Sequence, residues 1–272
     1  MRTQTDESAA YGFIITLIYE RCRIRLHDGK QELIRARLGK LMRHRGFRTL
    51  TEYCDFLRHE ADEDEFTLVV DALTTNFTSF LREADHFESM VKEALPAVLK
   101  GRRQFSVWSA ACSSGEEPYS IAFYLFEHFP PADGWDWHIL ATDVSTKALA
   151  KAQQAIYGES QVESIPPAWL RRYFQRGFGR QEGQYRIKPL VARRVTLRQI
   201  NLLSDFDLAE AFPVIVCRNV MIYFDRPTQQ QLIGRLTRQL APQGYLFVGH
   251  SESLAGINSS LRCLRPSVYQ RD

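Results

Sequence analysis

The chain has 272 residues with a formal charge of +3, and 44% of its residues are hydrophobic and 25% charged. This composition is typical of a globular protein, and the length suits one large domain or two smaller ones. The net charge is too small to indicate a nucleic acid or an acidic partner by itself, so the distribution of charge along the chain is more informative.

The cysteines exclude some further classes of protein. Five cysteines are scattered along the chain without a C-x-x-C pair. This pattern favours reduced thiols and gives no reason to expect a zinc site or another metal. No apolar run approaches the roughly 18 residues that a membrane span needs. We therefore expect a soluble cytoplasmic protein without direct membrane insertion.

Helical periodicity dominates the first part of the chain. Apolar residues recur at helical spacing in four segments, and the third has Thr51 as its predicted N-cap. The four segments are residues 11–26, 30–45, 52–59 and 62–73. The second has a basic face of Arg35, Arg37, Lys40 and Arg43. No strand pattern precedes residue 105, so residues 1–75 are predicted to form an all-α domain.

Strands and helices alternate in the second part. After a polar interruption at residues 74–83 and a helix at 85–100, strands are predicted near residues 105–108, 137–144, 214–218 and 245–249, separated by helices. This rhythm predicts a doubly wound parallel sheet of the Rossmann-like kind. Residues 173–202 depart from the rhythm with three glycines and alternating patterns, which predicts a small antiparallel β insertion.

The turn at residues 109–118, S-A-A-C-S-S-G-E-E-P, is the stretch on which the functional reading depends. A buried strand, a turn of small residues and a helix allow backbone N–H groups to approach a nucleotide-like ligand, although G-x-G-x-x-G is absent. Polar groups follow the other predicted strands as well. Asp143 is read as a partner for ribose hydroxyls or as a helix N-cap, and Asn201 as a ligand or a loop cap.

Residues 217–224, C-R-N-V-M-I-Y-F, narrow the chemistry. Enzymes of this fold that methylate amines often have Asn/Asp-Pro-Pro-Tyr/Phe here, and Val-Met-Ile replaces the prolines. An exocyclic amine is therefore a poor candidate acceptor. Tyr223 is read as a site residue or as a core tyrosine, and His250 as a loop or core histidine rather than a catalytic base.

Five motifs together resemble the CheR family of S-adenosylmethionine-dependent chemotaxis receptor methyltransferases. They are T-T-N-F-T-S-F-L-R-E (74–83), V-W-S-A-A-C-S-S-G-E-E-P-Y-S-I-A (107–122), A-T-D-V-S (141–145), V-C-R-N-V-M-I-Y-F-D (216–225) and G-H-S-E-S-L (249–254). The resemblance covers nearly the whole chain in the same order and spacing. It implies an N-terminal helical domain at 1–75, a linker at 76–90 and a methyltransferase domain at 91–272, with a β subdomain at about 173–200.

The resemblance also implies site residues. Contacts to the cofactor S-adenosylmethionine fall on Asn76, Thr78, Arg82, Glu116, Asp143, Asn201, Leu202, Cys217, Arg218 and Asn219. Arg82 and Tyr223 match positions near the transferred methyl group, and no metal is expected. Cys112-Ser113 stands where relatives often have Ala/Gly-Ser-Thr, and both side chains are small enough to leave the cofactor access.

The implied reaction is methylation of glutamate side chains of a chemoreceptor's cytoplasmic domain, giving γ-methyl esters. An exposed glutamate has a pKa near about 4.3, so it is already a nucleophile at neutral pH and needs no general base. We expect the basic face of the second helix to dock the receptor, with a solvated face as the alternative. Residues 176–183 resemble the loop of relatives that bind a receptor C-terminal pentapeptide.

Two other functions stay open at this stage. One is a carboxyl methyltransferase of a non-chemotactic signalling protein, and the other is a non-catalytic cofactor-binding or docking module. The presence of Asn76, Arg82, Glu116, Asp143 and Tyr223 together argues against the second. Nucleic-acid binding is not expected, because the basic face lacks interleaved aromatic residues. We expect a monomer.

Overall fold

A computed structural model describes residues 2–24, 29, 31–74, 77–206 and 208–272 of the chain, and the side chains of residues 2–6 are not part of that description. The chain divides into two compact units. One comprises residues 1–75 and 223–228, and the other comprises residues 76–222 and 229–272.

The first unit contains four helices among its described residues: α1 Arg2–Cys22, α2 Gln31–Arg45, α3 Leu50–His59 and α4 Glu63–Leu73. Ile14, Ile34 and Leu38 are fully buried at its centre, as the helical spacing predicts. Helix α1 begins well before the predicted residue 11. Its early turns are held because Glu7 accepts a hydrogen bond from Arg35 of α2. The predicted end at residue 26 lies outside the described residues.

Helix α3 begins with a capping box that the sequence reading misplaced. Thr49, and not the predicted Thr51, is the N-cap: its Oγ1 accepts from the Glu52 N–H at 3.2 Å. Glu52 Oε2 in turn accepts from the Thr49 N–H at 3.1 Å. The helix starts at Leu50, the residue directly after this N-cap, and the apolar Leu50 side chain is buried in the unit's core. The reciprocal pair satisfies two N–H groups that a helix start leaves open.

A helix with a π turn begins at Ala84 in the second unit. It runs through α5 Ala84–Ser89, a π turn at Met90–Ala94 and α6 Leu95–Leu99. Pro96 accounts for the wide turn, because a proline inside a helix has no N–H and its ring collides with the preceding turn. The Leu95 N–H bonds the carbonyl of Met90, five residues back, which makes room for that ring.

The remaining elements of the second unit alternate strands and helices. The strands are β1 Gln104–Ala110, β2 Asp136–Asp143, β3 Ile156–Gly158, β4 Phe174–Arg176, β5 Gln184–Ile187, β6 Val195–Gln199, β7 Phe212–Cys217, β8 Leu240–Phe247, β9 Leu261–Arg265 and β10 Val268–Arg271. The helices are α7 Glu116–His128, α8 Thr146–Gln154, α9 Glu159–Val162, α10 Pro167–Tyr173, α11 Pro189–Ala192 and α12 Arg226–Gln239, whose first turn belongs to the other unit. Single 3₁₀ turns lie at Pro131–Asp133, Gly179–Gln181 and Met221–Tyr223.

Within the described residues, seven strands form the main sheet in the order β6-β2-β1-β7-β8-β10-β9. The first five are parallel to one another, and β10 and β9 pair antiparallel at one edge. All six residues of β7 are buried, as the continuous apolar run predicts for a central parallel strand. The predicted fold, a doubly wound sheet with a small antiparallel sheet after an all-α domain, is confirmed.

The boundaries of the small sheet differ from those predicted. It consists of β3, β5 and β4 in that order, all antiparallel, and so spans residues 156–187 rather than 173–200. The alternating stretch at β6 was assigned to this sheet, but it pairs parallel with β2 at the edge of the main sheet. Alternation of exposed and buried residues is typical of any strand with one covered face, so the pattern could not distinguish the two positions.

Two further expectations concern thiols and membranes. All five cysteines are free, and Cys263 on β9 is exposed while the other four are buried. None of the helices within the described part of the chain combines the length and hydropathy needed to span a bilayer.

Candidate active site

Four neighbouring parallel strands end at the same edge of the main sheet. Ala110 at the end of β1 pairs with Thr142 of β2 and with Cys217 of β7, and Asp143 at the end of β2 pairs with Gln199 of β6. The chain moves outward from β1 to β2 on one side and returns to β7 on the other. Loops at such a reversal diverge and leave a crevice for a ligand, so the site is expected between β1 and β7.

The turn after β1 is tightly folded around its small residues. Ala111, Ser113 and Gly115 all have positive φ, at 64°, 50° and 97°. A Cβ atom on Gly115 would lie 2.9 Å from both the Ala152 Cβ and the Tyr157 hydroxyl. Glycine is therefore required both for the backbone angle and for the close approach. Strain of this kind in a turn at a sheet's C-terminal edge is typical of a ligand site.

Asp143 joins two of these turns. Its Oδ2 accepts from the Ser113 N–H at 2.8 Å, and its Oδ1 accepts from the Ser145 N–H at 2.9 Å. Ser145, rather than Asp143, is the side-chain N-cap of α8. The buried carboxylate thus fixes the turn after β1 relative to the start of α8.

Glu116 is the buried acid at the start of α7. Its Oε2 accepts from Ser114 Oγ at 2.8 Å and its Oε1 from Gln161 Nε2 at 3.1 Å. Burial raises the pKa of this carboxyl above its usual range, and the two hydrogen bonds oppose the shift. Gln161 is in turn held by the Gly158 N–H.

A cleft of about 590 Å³ opens beside Glu116. Its lining includes Phe77 and Thr78 of the linker on one side and Gln161 and Ser164 on the other. The linker is anchored here, because the Leu81 N–H bonds Ser120 Oγ of α7 at 3.0 Å. Arg82 is partly exposed and donates to the Phe77 carbonyl at 3.3 Å. Asn76 lies outside the described residues.

Glu117, the neighbour of Glu116, has a different environment. Its Oε2 accepts from Arg218 Nε at 2.9 Å and its Oε1 from Ser109 Oγ at 2.7 Å. The Arg218 guanidinium lies 3.6 Å from Glu83 Oε2 and donates to His86 Nδ1 at 3.4 Å. The Arg218 side chain is thus bonded to partners inside the protein.

The described residues also bring Glu83, His86 and His250 together, with one possible ligand atom from each within 4.8 Å of the others. Arg218 already places a positive charge against Glu83 and His86 in this group. Burial, followed by the charge of Arg218, lowers the pKa of His86 to about 4. We interpret the group as a partly buried polar network, because the Arg218 guanidinium already supplies the positive charge beside Glu83 and His86.

The turn after β7 is built around Glu252, a residue to which the sequence reading gave no role. Asn219 has a φ of 59°, and its N–H donates to Glu252 Oε2 at 2.8 Å. The same carboxylate accepts from the N–H groups of Met221, Ile222 and Gly249. Glu252 is buried.

The other predicted site residues have the following positions. Asn201 follows β6, and its Oδ1 accepts from the Leu203 N–H at 3.0 Å in an Asx turn. Leu202 is buried beside it, and the Ile200 N–H bonds the Asp143 carbonyl at 3.0 Å. Tyr223 is half-buried at the end of a 3₁₀ turn and belongs to the first compact unit.

The basic face of α2 is partly used within its own unit. Arg35 pairs with Glu7 and also bonds the Tyr11 hydroxyl at 3.0 Å. Arg37 donates to the carbonyls of Leu73 and Thr74 and so caps the end of α4. Lys40 and Arg43 are exposed.

Two family models match adjacent parts of the chain. Residues 9–74 match the CheR methyltransferase all-alpha domain, and residues 76–269 match the CheR methyltransferase SAM binding domain. The chain belongs to the CheR methyltransferase family. The resemblance stated from the motifs is therefore confirmed, and the second match describes a methyltransferase domain that binds S-adenosylmethionine.

Named relatives cover almost all of the chain. The chemotaxis protein methyltransferase of Salmonella typhimurium is 38% identical over 257 residues, which is 94% of this chain and 88% of that protein. The Escherichia coli protein of the same name is 37% identical over the same shares. The Borreliella burgdorferi protein is 33% identical over 95% of this chain and 93% of its own length.

The geometry fits the cofactor that the CheR family model names. A cleft borders Glu116, and the turn before Glu116 packs closely through Gly115 against Ala152 and Tyr157. Acidic and amide groups follow β2, β6 and β7. Sequence reasoning missed Gln161 and Glu252. Glu252 was present in the quoted G-H-S-E-S-L motif, but no spacing rule shows that its carboxylate folds back onto another turn.

Proposed function

We propose that this protein is a protein-glutamate O-methyltransferase that transfers the methyl group of S-adenosylmethionine to glutamates in the cytoplasmic domain of a chemoreceptor. One observation carries the proposal. In a chain of the CheR family, β6, β2, β1 and β7 are neighbouring parallel strands, and they are followed in the sequence by Asn201, Asp143, the turn before Glu116 and Asn219 respectively.

Each group in the crevice suits a different part of the cofactor. Asp143 accepts hydrogen bonds from the ribose hydroxyls. Glu116, at the start of α7, accepts a hydrogen bond from a donor group of the cofactor. Asn201 and Leu202 border the adenine, and the backbone of residues 217–219 borders the methionine end. Thr78 and Arg82, together with Asn76, contribute from the linker at residues 76–90. The domain division at residues 75 and 91 is part of this proposal.

The reaction makes few demands on proton transfer. S-adenosylmethionine supplies a methyl group activated by a positively charged sulfur. The acceptor glutamate is already ionised at neutral pH, so the protein needs to orient and desolvate it rather than deprotonate it. Alignment alone lowers such barriers by up to roughly 7–11 kcal/mol. Tyr223 donates a hydrogen bond to the acceptor carboxylate. Arg82 orients that carboxylate or the carboxylate of the methionine moiety.

A labelled-methyl assay on receptor cytoplasmic domains tests the activity. Incorporated label should be released by mild base, because esters hydrolyse where methylated amines do not. Arg82→Ala and Tyr223→Phe should each lower the rate at least tenfold, by about 1.4 kcal/mol or more of transition-state stabilisation. Tyr245→Phe is the control for loss of a tyrosine hydroxyl. Wild-type rates in both variants would refute the assigned roles.

The exposed part of the basic face is proposed to dock the receptor. Lys40 and Arg43 project from α2 and suit an acidic receptor helix. Charge reversal at both should raise the KM for receptor and leave the affinity for cofactor unchanged. Reversal at the exposed Arg102 is the control. An unchanged KM in the Lys40/Arg43 variant would assign the face to solvent.

A second contact is proposed at the small sheet. The order β3-β5-β4 leaves β4 at an edge, and the loop after it exposes 89% of the Phe178 surface. An extended receptor C-terminal peptide can add to such an edge as a further strand. Calorimetry with tryptophan-containing receptor tail peptides tests this contact, and no binding to any cognate tail would refute it. A non-chemotactic acceptor protein is the alternative substrate, and parallel assays with candidate proteins distinguish the two.

A further inference from the structure

The carboxylate of Glu252 accepts four backbone hydrogen bonds from two separate loops. Its Oε2 accepts from Asn219 at 2.8 Å and from Gly249 at 2.6 Å. Its Oε1 accepts from Met221 at 2.7 Å and from Ile222 at 3.3 Å. An exposed loop would leave these N–H groups to water. A buried, ionised acceptor with four donors is instead a fixed structural element.

The packing of Gly249 against Asn219 and Glu252 fixes the conformation of the turn after β7. A Cβ on Gly249 would lie 2.5 Å from Asn219 Nδ2 and 2.9 Å from Glu252 Oε2. The two loops therefore touch at a glycine, and Asn219 is held at its positive φ. Replacement of Gly249 would separate the loops without removing the charge of Glu252.

The turn fixed in this way borders the crevice between β1 and β7. Cys217, the last residue of β7, pairs with Ala110, which directly precedes the turn that leads to Glu116. Strand order reverses at this point, so a bound ligand must pass along the turn at residues 218–222.

Glu252 determines which chemical groups this turn can offer to the ligand. The N–H groups of Asn219, Met221 and Ile222 all point to the carboxylate. Three N–H groups of the turn are therefore unavailable to a ligand, and the buried carboxylate adds a negative charge beside it. Such a surface disfavours an anion and favours a cation or a hydrogen-bond donor.

We propose that Glu252 is a positioning residue that makes the turn after β7 the binding surface for the positively charged methionine end of S-adenosylmethionine. The inference rests on the proposed function and extends it. It predicts a difference between two ligands of nearly the same shape, because S-adenosylhomocysteine lacks the charge on sulfur and S-adenosylmethionine has it.

Calorimetry with both ligands tests the proposal on the full chain. Glu252→Gln removes the charge and turns an NH₂ group toward backbone N–H donors. Because the lost negative charge attracts the positively charged sulfur through a partly screened interaction, the variant should bind S-adenosylmethionine with an affinity that falls about tenfold more than its affinity for S-adenosylhomocysteine. Gly249→Ala keeps the charge but displaces the turn, so it should weaken both ligands by similar factors. Ser251→Ala, at an exposed neighbour, should change neither.

Each outcome has a separate meaning. If the wild-type protein binds neither ligand, the proposed function is wrong. If it binds both and Glu252→Gln weakens them equally, Glu252 is only structural and the inference is refuted. Should circular dichroism show that Glu252→Gln is unfolded, Glu252→Asp replaces it. That variant keeps the charge, so both affinities should fall while their ratio stays within about twofold of the wild-type ratio; a larger change in the ratio would refute the inference.

Discussion

Acid sensitivity of the second unit should depend largely on His86. This histidine is 4% exposed and accepts a hydrogen bond from Arg218 at Nδ1, so the folded protein holds it in the neutral form. Burial and the nearby guanidinium lower its pKa from 6.5 to about 4, although Asp85 and Glu83 oppose the shift and His250 adds to it. At acidic pH the unfolded chain therefore binds a proton at His86 that the folded protein does not bind.

The sign and size of the effect follow from these two pKa values. The contribution is fully present above pH 6.5 and is lost as the pH falls toward 4. The full loss is about 3 kcal/mol, and about 2 kcal/mol of it falls between pH 7 and pH 5. His86→Asn keeps an acceptor for Arg218 and removes the titration.

Denaturant unfolding of the wild type and the variant at pH 7 and pH 5 measures the difference. The variant starts from lower stability, because it loses ring contacts with Phe247 and His250. Its further loss between the two pH values should nevertheless be about 2 kcal/mol smaller than that of the wild type. His250→Asn, at a half-exposed ring, should retain the wild-type loss. Equal losses in His86→Asn and the wild type would refute the reasoning.

Three further substitutions test other parts of the structure. Glu117→Ala should cost about 3–5 kcal/mol of unfolding free energy, because it removes a buried partner of Arg218, and a variant as stable as the wild type by chemical denaturation would contradict the ion pair. Gly115→Ala should cost about 1–3 kcal/mol of unfolding free energy and abolish cofactor binding in calorimetry, and wild-type affinity in this variant would contradict the close packing of the turn. Thr49→Ala should lower stability by about 1 kcal/mol and Thr51→Ala by much less, and the reverse order would contradict the capping box.

The sequence predicts most of the fold because its periodicities are local. The helical spacing of Ile34 and Leu38 and the apolar run of β7 need no distant contacts to be recognised. The assignment of β6 failed for the same reason: alternation shows that a strand is present and not which sheet it joins. The π turn is related to Pro96, but the sequence alone does not show whether a helix ends or widens at a proline.

The sequence predicts which segments form the candidate site but not which contacts each residue makes. Motif order predicts that Glu116, Asp143 and Asn219 form one site, and the strands before them, β1, β2 and β7, are neighbours in the sheet. Adjacent acids could not be told apart, since only the fold shows that Glu117 bonds Arg218 whereas Glu116 borders the cleft. Glu252 depends on a contact across 33 residues with Asn219, which no local pattern reports.

The distribution of thiols makes the protein convenient for site-specific chemistry. Cys112 and Cys217 lie at the crevice, yet burial holds the pKa of each thiol well above its usual range, so both should resist alkylation. Cys263 is exposed on β9, at the sheet edge three strands away from β7. A maleimide fluorophore should therefore label the native enzyme at a single position, without engineered cysteines and without blocking the crevice.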